Sequence, residues 1–288
     1  MNSKKKFFAA SLFAIFAGTL CLSAQSAPFD FGHPDQNFSF RITSDDIRNM
    51  LKGQDENRNN TAPAAQTPKK EEVPLPTQEE QNEIDIKELT ELAETGNPTF
   101  QFSLGRCYDH GIKVQKDYKL AIYWYEKSAD QGNAKAANNL GCLYLDGIGV
   151  AKDPQKAQEY FLIAAEKNLD YGFMNLGLMQ EEGVLGEPDY AKAFEYYSKA
   201  EKLNCPPAWD KLAHLHLNGL GTKANPKKAF AYFKKAADAG YPPSVCDLGI
   251  CYLKGTGVKQ DKKLAKKYLE AAAQKGVQEA IDALKDLQ

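Results

Sequence analysis

With 288 residues and a formal net charge of -2, the chain has length for one or two ordinary domains and no charge surplus for holding nucleic acid. Outside Lys4-Lys5-Lys6 it carries no basic block or Lys/Arg stripe, so no nucleic-acid partner is expected. Four histidines and six cysteines leave little material for a metal centre or a redox pair.

The first predicted element is a leader, residues 1–26. Lys4-Lys5-Lys6 precedes an apolar run from Phe7 to Leu22, and the small residues Ala24 and Ser26 come next. That order is the layout of a cleavable secretory signal, and the run is short for a transmembrane span, which needs about 20 apolar residues. Leu20 stands before Cys21, where a lipoprotein signal would carry a small residue. The expectation is a periplasmic or secreted chain with no integral membrane segment after cleavage. Five cysteines then remain, Cys107, Cys142, Cys205, Cys246 and Cys251, and an odd number leaves at least one thiol without an intramolecular partner. They form no Cys-x-x-Cys pair, so zinc-finger and thioredoxin-like sites are not supported.

Residues 27–83 read as a tail. Asn57 to Pro76 is rich in Asn, Ala, Thr, Pro, Lys and Glu, too poor in large apolar residues to offset its ordering entropy. Inside it, Phe38 to Ile42 alternates like a strand, and Ser44 to Leu51 reads as a short capped helix. Residues 84–97 match the back half of a repeat and are expected to form an N-terminal cap, because the outer face of a terminal repeat has no neighbour.

Residues 98–277 repeat at a fixed period of 36, as 98–133, 134–169, 170–205, 206–241 and 242–277. A period of this length marks a stacked array. Leu-Gly recurs as Leu104-Gly105, Leu140-Gly141, Leu176-Gly177, Leu212-Ala213 and Leu248-Gly249. Six positions on stand Gly111, Gly147, Gly183, Gly219 and Gly255, where a chain reversal calls for positive φ. Asp117, Asp153, Asp189, Asn225 and Asp261 come next as N-caps of a second helix. That helix carries Ala121, Ala157, Ala193, Ala229 and Ala265. An aromatic pair stands beyond it as Trp124-Tyr125, Tyr160-Phe161, Tyr196-Tyr197 and Tyr232-Phe233, with Tyr268-Leu269 last. The spacing makes one apolar stripe, and each buried ring contributes on the order of 2–3 kcal/mol. Gly132, Asn168, Asn204, Gly240 and Gly276 close it, the two residue types that tolerate a left-handed C-cap. Residues 278–288 begin a further first helix and stop, as a C-terminal cap.

With these columns in place the chain resembles the Sel1-like repeat proteins, relatives of the tetratricopeptide repeats. The likeness covers residues 84–288. It implies an all-α, right-handed solenoid of stacked αα-hairpins acting as a non-enzymatic protein-binding scaffold, and exported bacterial members suggest cell-envelope assembly or host interaction. Lys113 and Leu185 depart from the pattern at the second turn glycine, as do Ala213 and Asn225 at the helix A glycine and the N-cap.

No catalytic constellation is found, and no cofactor or metal is expected. His214 and His216, two apart on a helix, point apart. A β-lactamase-like hydrolase or penicillin-binding protein is the enzymatic alternative that the family resemblance brings. The chain lacks the regularly spaced cysteines of such members, and its Ser-x-x-Lys match is Ser3 with Lys6, inside the leader. A secreted effector that binds a host protein is the other alternative. The resemblance places the concave face on three columns of the first helix. The residues before Leu-Gly are Ser103, Asn139, Asn175, Lys211 and Asp247. Those after it include Arg106 and His214, and the helix ends include Asp146, Glu182 and Asn218. Asn amides can bond a peptide backbone from both ends, so the expected partner is another protein or an extended peptide.

Overall fold

The computed structural model describes residues 86–285 and 287; the leader and the tail, with its segment Phe38 to Ile42, lie outside the described residues. Among the described residues there are twelve α-helices and no strand. They are α1 (Ile86–Glu94), α2 (Pro98–His110), α3 (Tyr118–Ala129), α4 (Ala134–Asp146), α5 (Pro154–Glu166) and α6 (Asp170–Glu181), then α7 (Tyr190–Lys202), α8 (Pro206–Asn218), α9 (Pro226–Asp238), α10 (Pro242–Lys254), α11 (Lys262–Gln274) and α12 (Gln278–Lys285). Each helix packs on the one before and the one after it, and α4 also meets α6 across the intervening helix. The result is an all-α repeat solenoid. The even-numbered helices α2 to α10 are the first, or A, helices of the five repeats, and the odd-numbered α3 to α11 are their B partners.

The punctuation residues fold as their chemistry dictates. Asp117, Asp153, Asp189, Asn225 and Asp261 each accept a hydrogen bond from a backbone N–H in the first turn of a B helix, satisfying one of the donors a helix start leaves open. The N–H of the same five residues donates to the A-helix carbonyls of Tyr108, Tyr144, Gln180, His216 and Tyr252 at 2.7–2.9 Å. One interaction therefore caps helix B, and the other ties it to helix A. Asn168 and Asn204 take φ of 57° and 60° where the other repeats place Gly132, Gly240 and Gly276.

The two aromatics of a B helix have different surroundings. Tyr125, Phe161, Tyr197 and Phe233 are almost fully enclosed and lie against the A-helix glycine column. A Cβ added at Gly141 would stand 2.4 Å from a Phe161 ring carbon, and one at Gly177 would stand 2.4 Å from Tyr197. The absence of a side chain there is what lets the ring fill the space between the two helices. The first aromatic is half-buried in four of the five repeats, and in three of these it stacks sideways on an A-helix ring: Tyr144 on Tyr160, His216 on Tyr232 and Tyr252 on Tyr268, with centroids 5.6–5.8 Å apart. The second turn glycines also seat one repeat on the one before. A Cβ at Gly221 would meet the Tyr190 carbonyl oxygen at 2.1 Å, and one at Gly257 the Pro226 carbonyl oxygen at 2.1 Å.

Candidate functional site

Three columns on each A helix share one stripe, at positions i, i+3 and i+7. Burial falls along that stripe towards the helix C-terminus. The first column is the most enclosed. Ser103, Asn139 and Asn175 are only 1–2% exposed, which corrects the expectation that they line an open groove. Ser103 Oγ donates to the Thr99 carbonyl at 2.8 Å, Asn139 Nδ2 to the Tyr125 hydroxyl at 3.1 Å, and Asn175 Nδ2 to Asn138 Oδ1 at 2.9 Å. The physical reason is lateral: Asn139 meets Tyr125 of the preceding B helix and Asn175 meets Asn138 of the preceding A helix, so the repeat before closes over these amides. A bound peptide cannot reach these amides while the repeats stay stacked.

Further along the array the same column opens. Lys211 and Asp247 are half-buried and ion-paired, Lys211 Nζ with Glu181 Oε2 at 3.2 Å and Asp247 Oδ2 with His214 Nε2 at 3.4 Å. In both cases the column residue of one repeat serves a polar group of the repeat before it. Asn139 does the same for Tyr125, whose hydroxyl donates to Asp109 Oδ2 at 3.0 Å, and Lys211 for Glu181, which receives the Tyr197 hydroxyl at 2.5 Å. Asp109, Tyr125, Glu181 and Tyr197 lie outside the three predicted columns, although the sequence carries their signal. Where helix B has tyrosine, helix A has Asp109 or Glu181. Where it has Phe161, Phe233 or Leu269, helix A has Leu145, Leu217 or Leu253.

The middle column joins two repeats at His214. Its Nε2 also lies 3.7 Å from Asp210 Oδ2, and the Ser244 hydroxyl donates to Asp210 Oδ1. Burial carries the Asp210 carboxyl up to about 6. Burial opposes a charged imidazole at His214, but the hydrogen bond to Asp247 and the charge of Asp210 outweigh it and hold the imidazole at about 9. His216, one helix face away, is instead enclosed by Phe194 and Tyr232; the two histidines do point apart. Arg106 is half-buried, its guanidinium 6.0 Å from the Phe102 ring centroid, and burial lowers its pKa.

The third column, at the A-helix ends, is the accessible one. Asp146 is half-buried, and Glu182 and Asn218 are exposed. The Oδ1 atom of Asp146 is buried with no hydrogen-bond partner, and desolvation lifts its carboxyl above the usual range. The Glu182 carboxyl is likewise lifted, by desolvation first and also by the charges of Glu181 and Asp146, with Lys211 opposing. Two carboxylates on adjacent repeats thus hold negative charge at a cost, and a cation brought between them would relieve it. No helix among the described residues is long and apolar enough to cross a membrane.

Comparison with known proteins places this geometry. A search of curated proteins finds no match. Among solved structures the chain is similar to a Sel1 repeat protein from Oxalobacter formigenes, with 30% identity and a TM-score of 0.65 over 69% of this chain and 80% of that one. It is similar also to a protective antigen present in uropathogenic Escherichia coli strains and displaying an SLR fold, with 30% identity and a TM-score of 0.64 over 69% of this chain. The match spans 44% of that antigen's length. The model of the Sel1 repeat matches residues 98–133, 134–169, 174–205, 210–241 and 242–277, more than half of the sequence, and the chain belongs to the Sel1 repeat family.

Proposed function

We propose that the protein is an exported, non-enzymatic scaffold that holds an extended segment of a partner protein along the A-helix ends, on the concave face of the array. The observation that carries this reading is the state of Asp146, with a buried oxygen lacking a partner one repeat away from Glu182, an exposed acid whose carboxyl is also lifted, by partial desolvation and by the charges of Glu181 and Asp146. A carboxylate oxygen left unsatisfied in an accessible row suits a ligand that brings a donor. Adjacent repeats are about 10 Å apart, one helix-packing distance, and an extended peptide advances about 3.3 Å per residue. Asp146, Glu182 and Asn218 therefore suit groups spaced about three residues apart, with a Lys or Arg of the partner between the two acids. The basic leader with its apolar run supports export, and cell-envelope assembly is the setting that fits it.

The test is capture from an envelope extract with mass spectrometry, wild type against an Asp146→Asn, Glu182→Gln, Asn218→Ala triple variant. The wild type should retain a partner that the variant loses, with unchanged circular dichroism. Retention of the same proteins by both would move the binding surface off these helix ends. A second reading, secretion and then binding of a host protein, draws on the likeness to the protective antigen; finding the mature chain only in the periplasmic fraction would remove it.

A further inference from the structure

We propose that Asp210, His214 and Asp247 form a divalent-cation site of the zinc class that bridges the fourth and fifth repeats. The two carboxylates and the imidazole each turn one ligand atom inward, and these atoms lie within 4.8 Å of one another. The separations from His214 Nε2 are 3.4 Å to Asp247 Oδ2 and 3.7 Å to Asp210 Oδ2. Zinc bonds of about 2.0–2.2 Å in tetrahedral array put neighbouring ligand atoms roughly 3.3–3.6 Å apart, so the two spans from His214 nearly fit, and the two carboxylate oxygens, within 4.8 Å of one another, would draw together by at most about 1.5 Å to close on one ion.

The fold prepares these groups. Asp210 and His214 are four apart on α8 and so share a face, and α10 supplies Asp247 from the next repeat. Asp210 is only 7% exposed. Its Oδ1 is engaged by Ser244, which fixes the carboxylate and leaves Oδ2 facing the imidazole at a distance beyond hydrogen-bond reach. A hydrogen bond of this kind is what orients a ligating carboxylate in metal sites. The His214 side chain is 40% exposed, so the cluster has an entry path and a fourth position open to water. Lys211, the nearest cation on the same helix, is turned to Glu181. One imidazole among the donors disfavours calcium and magnesium, which take oxygen, and favours a borderline ion. Without the ion the same atoms make the ion pairs around His214. With it, the His214 proton leaves to solvent and the ion takes its place, bonded to two groups of α8 and one of α10, and the interface of the two repeats gains the binding free energy, because the unfolded chain does not assemble the site.

Untagged, EDTA-treated protein should be titrated with Co²⁺, monitored by its visible absorption, and with Zn²⁺ by calorimetry. The wild type should bind one equivalent, give the strong absorption of a tetrahedral Co²⁺ centre, and melt at a higher temperature with Zn²⁺. Asp247→Asn and His214→Gln, both at partly exposed positions, should keep the fold and bind about tenfold or more weakly, losing the Zn²⁺-dependent rise in melting temperature. Absence of stoichiometric binding in the wild type would overturn the site. So would binding of equal strength in the folded variants, which would assign the ion to thiols elsewhere.

Discussion

The hydroxyl of Tyr197 donates to Glu181 at 2.5 Å, and the Lys211 ammonium of the next repeat approaches the same carboxylate oxygen at 3.2 Å. The ring is wholly buried, so this is a polar contact set at the edge of an apolar layer. Two repeats use it and three replace both partners by apolar residues. Tyr197→Phe should therefore cost about 1.5–3 kcal/mol, the worth of a hydrogen bond to a charged group. The double variant Tyr197→Phe, Glu181→Leu installs the pair that Phe161 and Leu145 already make, and should recover most of that loss, since Lys211 is 31% exposed and can turn to water. Urea melts of the wild type, Tyr197→Phe and the double variant decide it; a double variant no more stable than Tyr197→Phe would mean that the pair is not interchangeable between repeats.

The turn glycines separate conformation from space. Gly240 has φ of 83° and nothing near a Cβ, whereas Gly221 has φ of 63° and a Cβ would overlap the Tyr190 carbonyl. Gly240→Ala should cost about 1–2 kcal/mol for the left-handed backbone alone. Gly221→Ala should cost distinctly more, because the first turn of α7 must move as well. Equal midpoint shifts in urea would show that the array absorbs the clash.

Much of this architecture could be read from the letters. Period, helix pairing, N-caps and left-handed closures all come from residue types that have few other uses, such as asparagine where its neighbours place glycine. The groove was harder. Asn139 and Asn175 are polar, sit beside an apolar stripe and read as exposed; they are enclosed because elements of the preceding repeat lie against them, the B-helix Tyr125 at Asn139 and the A-helix Asn138 at Asn175, and that stacking is not written in either helix. The cluster at His214 was missed for the same reason. One part of it, the four-residue spacing of Asp210 and His214, is local, but Asp247 joins only through stacking.

Asp146 links stability to the proposed binding role. Desolvation raises its folded-state pKa above 3.8, so the folded chain holds that proton more tightly than the unfolded one. Relative to a variant without the acid, the wild type therefore loses stability as pH rises through the acid range, and the loss is complete at neutral pH. Asp146→Asn should unfold at higher urea than wild type at pH 7, with the gap narrowing as the pH falls towards 3. A variant less stable than wild type at pH 7 would mean that the carboxylate has a stabilising partner.

Four buried thiols can report how the array opens. Cys107, Cys205, Cys246 and Cys251 are each 4% exposed or less, and burial raises all four pKa values, to about 11 for Cys251 and about 12 for Cys246. Native-state alkylation at pH 8 must then wait for local opening, because the thiolate is both shielded and disfavoured. In a stacked array each repeat touches only its neighbours, so a terminal repeat opens at a lower free energy than an internal one. Cys246 and Cys251, in the last repeat, should be labelled by iodoacetamide well before Cys205 at the centre, as tracked by peptide mass spectrometry over time. The order should persist at several urea concentrations below the main transition. Simultaneous labelling of all three would mean that the repeats open as one unit, and the additive picture of the array would fail.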